Sequence, residues 1–490
     1  MGLPIERSDF SEEEYDHAEI RLRENLAAQT PLLERPGYGV GAPTLGAELQ
    51  MCIVGADAEA VPVNKEVMAA SGDPNLQLEL DRFNLEYKLS AVMAEGQPFA
   101  AMEQELTAAL DVVATLGGEF GGRIIPIGIL PTLQMDQLQV GWMTDLPRYH
   151  ALNIGIKRMR QQQSFHIQID GEDPLEAEFD ACTVEGANTS FQVHLRVDPS
   201  RFSACYNAAQ LTTPLALAVS ANSPFLLGHG LWDETRIALF KQAVDTRRHK
   251  HAWRRMARVP FGHGWVRSSA YELFAESCHL YPILMPVCDD VDNVAVVEGD
   301  GIPPLSELRL QQGTIWNWNR PVYDPADGGN LRIELRSLPS GPTPVDMLAN
   351  AAFHVGMTVG LSHAVDDLLP AFPFRYADYN FYRAAQSSFD AELLWPTLDE
   401  TSPREADAIT LCREMLPVAD EGLAEIGVDA AERSRLLDVI RARLDSGINP
   451  ARWQRETLRN MGDIPRDTAM RNLVEAYLEK IAHGDPVTEW

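Results

Sequence analysis

Four separated stretches place carboxylates, guanidinium groups, amide oxygens and an imidazole on one side of a two-residue period, the side opposite their apolar residues. In residues 46–53, Ala47, Leu49, Met51 and Ile53 face one way, which leaves Glu48 and Gln50 together on the other. In residues 83–89 the apolar set is Phe83, Leu85, Tyr87 and Leu89, against Asn84, Glu86 and Lys88, with Glu79 seven residues before Glu86. Residues 190–197 turn Gln192, His194 and Arg196 outward, and residues 330–338 do the same with Arg332, Glu334 and Arg336. Spaced carboxylates on neighbouring strands suit magnesium, which prefers hard oxygen ligands and keeps phosphate oxygens in its shell. Interleaved arginines suit phosphate or a substrate carboxylate, each held by two parallel hydrogen bonds. For any single strand a solvated sheet face is the simpler explanation, since Glu and Arg mostly face water. The same residue set on four strands argues for a shared site.

These strands sit in a chain of 490 residues with 45% hydrophobic and 23% charged residues, the composition of a globular protein with a substantial core. The formal charge of −30 repels nucleic-acid backbone and anionic membrane, so neither is an expected partner. Six cysteines without C-x-x-C spacing suggest neither disulfides nor a zinc ribbon, and a reducing cytoplasm is the expected location. The start has no basic-then-apolar leader, and no uncharged apolar stretch reaches bilayer length.

The fold class expected is α+β, because short alternating strands mix with helical stretches such as 99–116 and 236–258 without regular βαβ alternation. Residues 1–36 read as a helical lead-in, 37–385 as the catalytic domain and 386–490 as a helical C-terminal region. Met470, Leu473, Val474, Tyr477, Leu478 and Ile481 recur at helical spacing before Gly484. Asp429 with Glu432 has the form of a capping box for a helix ended by Gly447. The C-terminal stripe suits either a cap on the domain or a subunit contact, as in a homo-oligomer.

At these residues the chain resembles the glutamate-cysteine ligase family, including its plant-type and bacterial carboxylate-amine ligase branches, over roughly residues 44–346. The segment Gly46-Ala-Glu-Leu-Gln resembles the family's G-x-E-x-E strand, with Gln50 replacing the second glutamate. Glu79 and Glu86 match its pair of acids seven residues apart, and Gln192 falls on a functional position of the 189–194 segment. Ser220-Ala-Asn-Ser-Pro-Phe225 resembles an S-A-N-S-P-F turn, followed by Arg236 where the family has a substrate-carboxylate arginine. Thr314-Ile-Trp, Arg320-Pro and Leu331-Arg-Ile-Glu-Leu-Arg336 resemble T-I-W-x-x-x-R-P and then L-E-x-R.

The resemblance implies a glutamine-synthetase-like fold, a curved antiparallel sheet with helices on its outer face. It implies ATP and Mg2+ as cofactors and small-molecule acid and amine substrates joined through an acyl phosphate. Metal ligands would be Glu48, Gln50, Glu79, Glu86 and Glu334. Arg336 would steady the transferred phosphoryl group and Arg236 would hold the acid substrate, while the amine, which must attack as the free base, would lose its proton to His194 or a nearby carboxylate. Arg320, Gln192 and Arg332 would contact the nucleotide. Two other classes fit the same cleft: a relative that binds nucleotide or metabolite without turnover, and a metal-dependent amide hydrolase. Gly37-Tyr-Gly-Val-Gly-Ala does not complete a dinucleotide fingerprint, and the basic run 247–255 reads as a solvated helix. Trp316 and Trp318 are candidates for packing on adenine or in the core.

Overall fold

A computed structural model describes residues 3, 5–247, 254–397 and 402–490. Eight strands form its main sheet: β1 (Thr44–Val54), β2 (Leu76–Leu78), β3 (Asn84–Lys88), β4 (Val92–Met93), β5 (Arg123–Ile125), β6 (Phe191–Val197), β7 (Asn319–Asp324) and β8 (Asn330–Leu335). They run in the order β7-β8-β6-β1-β3-β2, with β4 and β5 also paired to β1. Neighbours are antiparallel throughout. The α+β expectation holds, and the four stretches with chemical side chains become β1, β3, β6 and β8, which lie side by side.

One face of this sheet is apolar because period two sends Leu45, Ala47, Leu49 and Met51 of β1, Val193 and Leu195 of β6, and Ile333 and Leu335 of β8 into the core. The helix Phe202–Ser220 packs behind β7 and β8, and Pro344–Ser362 behind β6. Both are buried almost all round. A further helix, Ala408–Glu425, crosses Pro344–Ser362 at bare backbone: a Cβ on Gly422 would lie 2.0 Å from the Gly356 carbonyl oxygen, so only glycine permits this approach. One apolar core runs continuously from Tyr15 to Tyr477.

At the other end of the chain, Glu12–Glu34 is a helix whose start is closed by a capping box between Ser11 and Glu14. It packs on Tyr271–Leu280, Asn293–Glu298 and Ser306–Gln312, a helical group beside the polar sheet face.

Two local expectations need correction. The helix from 236 stops at Ala243, and residues 248–253 of the basic run lie outside the described residues. The helix Ala430–Ser446 forms and ends at Gly447 in the left-handed region, yet Asp429 gives it no side-chain cap. Glu432 instead accepts the backbone N–H of Ala100, satisfying one of the free amides at the start of helix Pro98–Glu119. Among the described residues no helix is long and apolar enough to cross a membrane. All six cysteines are free.

Candidate active site

Strand register arranges the polar face in rows. Arg320, Glu334 and His194 are directly opposed across β7, β8 and β6. The next row holds Gln192, Glu48 and Lys88 across β6, β1 and β3, and the one after it Gln50, Glu86 and Gln77 across β1, β3 and β2. A one-residue slip in any strand would turn its contribution into the core, so the apolar face that fixes the register also fixes the site.

Above these rows lies a cavity of about 450 Å³. Glu48, Gln50, Glu79, Glu86, Gln192, His194, Arg320, Arg332 and Arg336 all line it. Glu334 lies beneath them with no exposed side-chain surface. Ligand atoms of Glu48, His194 and Glu334 fall within 4.8 Å of one another. His194 Nε2 is 3.6 Å from Glu48 and 4.0 Å from Glu334, and neither ring nitrogen has a hydrogen-bond partner.

Charge on this floor is held unevenly. Burial disfavours the Glu334 carboxylate, but Arg320 and Arg336 outweigh it and keep the group ionised well below the usual range. Arg320 donates to both oxygens of Glu334, and Arg336 donates to Glu334 Oε1 at 2.8 Å and to Gln192. Burial also works against Glu48, where the neighbouring His194 at 3.6 Å, with Lys88, holds its carboxyl down to about 2. Glu86 is the reverse case: burial, then repulsion from Glu48 and Glu79, raise it well above an ordinary carboxyl. Among the described residues its one close cation is Lys88, 3.6 Å away and shared with Glu48 at 3.9 Å.

The remaining candidates divide by what already occupies them. Gln50 Oε1 accepts from the backbone N–H and hydroxyl of Ser190 at 3.0 and 2.8 Å, so its oxygen is partly committed to holding β6 against β1. Arg332 donates to Asp324 at 2.9 Å at the rim. The structure does not bring Arg236 to the cavity: it is 1% exposed, bonded to Glu234 and to the Ser337 carbonyl. Trp316 lines the cavity, whereas Trp318 is buried among Phe240 and Phe381.

The cavity wall also contains Glu185, Arg148 and Tyr149, which pattern reading missed. Burial, with repulsion from Glu79, pushes the Glu185 carboxyl up to about 8. It sits on the short turn Cys182–Ala187, where no periodic signal could single it out. Leu3 and Ile5 form part of the wall as well, a contribution no local motif announces.

An antiparallel sheet with helices behind it is the glutamine-synthetase-like fold, and here its open face carries a carboxylate-arginine floor. The model of glutamate-cysteine ligase family 2 (GCS2) matches residues 44–477, and the chain belongs to that family. Glutamate-cysteine ligase from Francisella tularensis, solved in complex with AMP, shares the fold with a TM-score of 0.55 at 10% identity, over 91% of this chain and 90% of that one. A bifunctional glutathione synthetase from Pasteurella multocida aligns over 94% of this chain and 55% of that chain, with 11% identity and a TM-score of 0.47. The ligase in the complex of the prokaryotic ubiquitin-like protein Pup with PafA aligns over 89% and 73% with a TM-score of 0.40 at 10% identity. No curated protein matches the chain in sequence. Family membership makes the protein an ATP-dependent carboxylate-amine ligase.

Proposed function

We propose that the protein forms a γ-glutamyl-type amide by way of an acyl phosphate. The observation that carries this reading is the convergence of Glu48 and Glu86 on one cavity that also holds Arg320 and Arg336, with Glu334 buried beneath it between those two arginines and near Glu48. A free carboxylate does not condense with an amine in water, because hydroxide-like oxygen is a poor leaving group. The reading therefore has a carboxylate oxygen of the acid attack the γ-phosphorus of ATP, with ADP leaving. The amine nitrogen then attacks the acyl carbon, phosphate leaves, and the nitrogen gives up a proton.

The residues present fit a divalent cation of the magnesium type. Glu86 is held short of its ordinary charge by Glu48 and Glu79, a repulsion that a cation would relieve, and the donors are oxygens. Glu48, Glu86 and Glu334 would hold it, with Glu79 and the partly committed Gln50 beside them. Bound there, it would supply positive charge to offset the charge that develops in phosphoryl transfer. Arg336 steadies the moving phosphoryl group, and Arg320 and Arg332 hold the nucleotide phosphates with Gln192 beside them. His194, with both ring nitrogens unpartnered, takes the proton from the amine. Trp316 offers a face to the adenine.

The test is ADP release across a panel of amino-acid carboxylates and amines. Turnover should require ATP, one acid and one amine together, and isotopic oxygen placed in the acid should appear in the released phosphate. ADP release indifferent to the amine, or phosphate without the transferred oxygen, would refute this chemistry.

A further inference from the structure

We infer that Arg236 is a positioning residue for Arg336 and touches no substrate, an inference that rests on the ligase reading above because it assigns Arg336 to the transferred phosphoryl group. Arg236 opens the helix Arg236–Ala243 and is walled off from the cavity. Its Nε donates to Glu234 Oε1 at 2.6 Å, and its Nη2 donates to the carbonyl of Ser337 at 2.6 Å. Ser337 directly follows Arg336 and lies past the last ladder residue of β8, Leu335. Its carbonyl is thus held by a side chain between two backbone pairings, the Arg336 N–H to the Trp318 carbonyl and the Phe191 N–H to the Leu338 carbonyl, and a carbonyl so buried needs a donor.

The tether is itself anchored. Glu234 is fully buried, accepts from the Asn222 backbone N–H at 2.8 Å and from the Ser223 hydroxyl at 2.6 Å, and so turns the 221–225 turn into a base for Arg236. Asn222 also donates to the Ser340 carbonyl, and the Ser340 hydroxyl donates to the Gln50 carbonyl. The segment carrying Arg336 is consequently clamped at Ser337 and again at Ser340. On the cavity side, Arg336 must reach Glu334 and Gln192 while remaining available to a ligand. Arg236 serves Glu234 and the Ser337 carbonyl from two different nitrogens of its planar fork, and a lysine there could satisfy only one of them well.

A double-mutant cycle on nucleotide affinity tests the assignment, with AMP-PNP and magnesium followed by calorimetry on the full chain. Arg236→Lys should weaken binding about tenfold in the wild-type background and leave it nearly unchanged in an Arg336→Ala background, because the two losses are one loss. In turnover, Arg236→Lys should lower kcat while the KM for the acid substrate stays put. Additive losses in the cycle, or a KM for the acid that rises with kcat preserved, would overturn the positioning role and return Arg236 to direct substrate contact. Should Arg236→Lys not fold, Glu234→Gln, which keeps a single oxygen acceptor where Glu234 offers two, loosens the same tether, and it carries the same cycle to the same two outcomes. Wild-type protein that binds no AMP-PNP at all would instead bring down the ligase reading, and the assignment of Arg236 with it.

Discussion

Arg320 clasps Glu334 through two donors, Nε to one carboxylate oxygen and Nη2 to the other at 3.0 Å, on a residue pair directly opposed across β7 and β8. Glu334 has no exposed side-chain surface, so this pair is a buried ion pair whose second cation is Arg336. Such a pair is costly to break from one side, because the charge left behind has no water to turn to. Arg320→Met should lower unfolding stability by about 3 kcal/mol, read by urea denaturation, and should also weaken AMP-PNP binding. Arg320→Lys should recover most of the stability and little of the nucleotide affinity, since the bidentate geometry is lost.

The carboxylate floor should make activity depend on a divalent cation. A chelator should abolish ADP release and added magnesium should restore it. Glu48→Gln should raise the magnesium concentration for half-maximal turnover by about 10- to 100-fold, whereas Gln50→Ala, which removes an oxygen already shared with Ser190, should change it far less. Equal effects of the two substitutions would argue against Glu48 as the principal ligand.

Stability should fall on mild acidification through His354. Burial between the helices Phe202–Ser220 and Pro344–Ser362 lowers its imidazole from an ordinary 6.5 to about 4, and Thr213 Oγ1 lies 3.3 Å from its Nε2. The folded chain therefore resists a proton that the unfolded chain accepts. The contribution is fully present above about pH 6.5 and is lost as the pH falls toward 4. Between pH 7 and 5 the loss is on the order of 2 kcal/mol. His354→Gln should flatten that part of the pH profile of urea midpoints, and an unchanged slope would exclude the residue.

The crossing of Pro344–Ser362 with Ala408–Glu425 should tolerate no side chain at Gly422. Gly422→Ala should cost about 3 kcal/mol or more, because its Cβ would meet the Gly356 carbonyl and the Gly360 amide. Gly118→Ala, in a helix with open space around the added carbon, should instead be neutral or stabilise by about 0.5–1 kcal/mol. Thermal melts of the two variants decide the point.

The site was readable where chemistry followed a strand's period. Alternation in 46–53, 190–197 and 330–338 already separates Glu48, His194 and Glu334 from the core, and register did the rest. Arg236 was placed at the acid substrate by family resemblance alone, since a residue at a helix start carries no period to say which way it faces, and its bonds run to Glu234 and Ser337. Glu185 was missed for the same reason on its short turn. The capping box at Asp429 failed because Glu432 found a donor on another helix, a long-range competitor that local pattern cannot reveal. Helix 236–258 was drawn too long from composition alone.

Tyr477 lies buried near the end of the chain, donating to the Pro126 carbonyl and accepting from Asn222. Asn222 belongs to the turn that anchors Arg236, so the cavity floor is braced by the helix Arg466–Ile481, far in sequence from every strand of the sheet. Loss of the Tyr477 hydroxyl would therefore loosen the turn beneath Arg236 while every strand of the sheet kept its register.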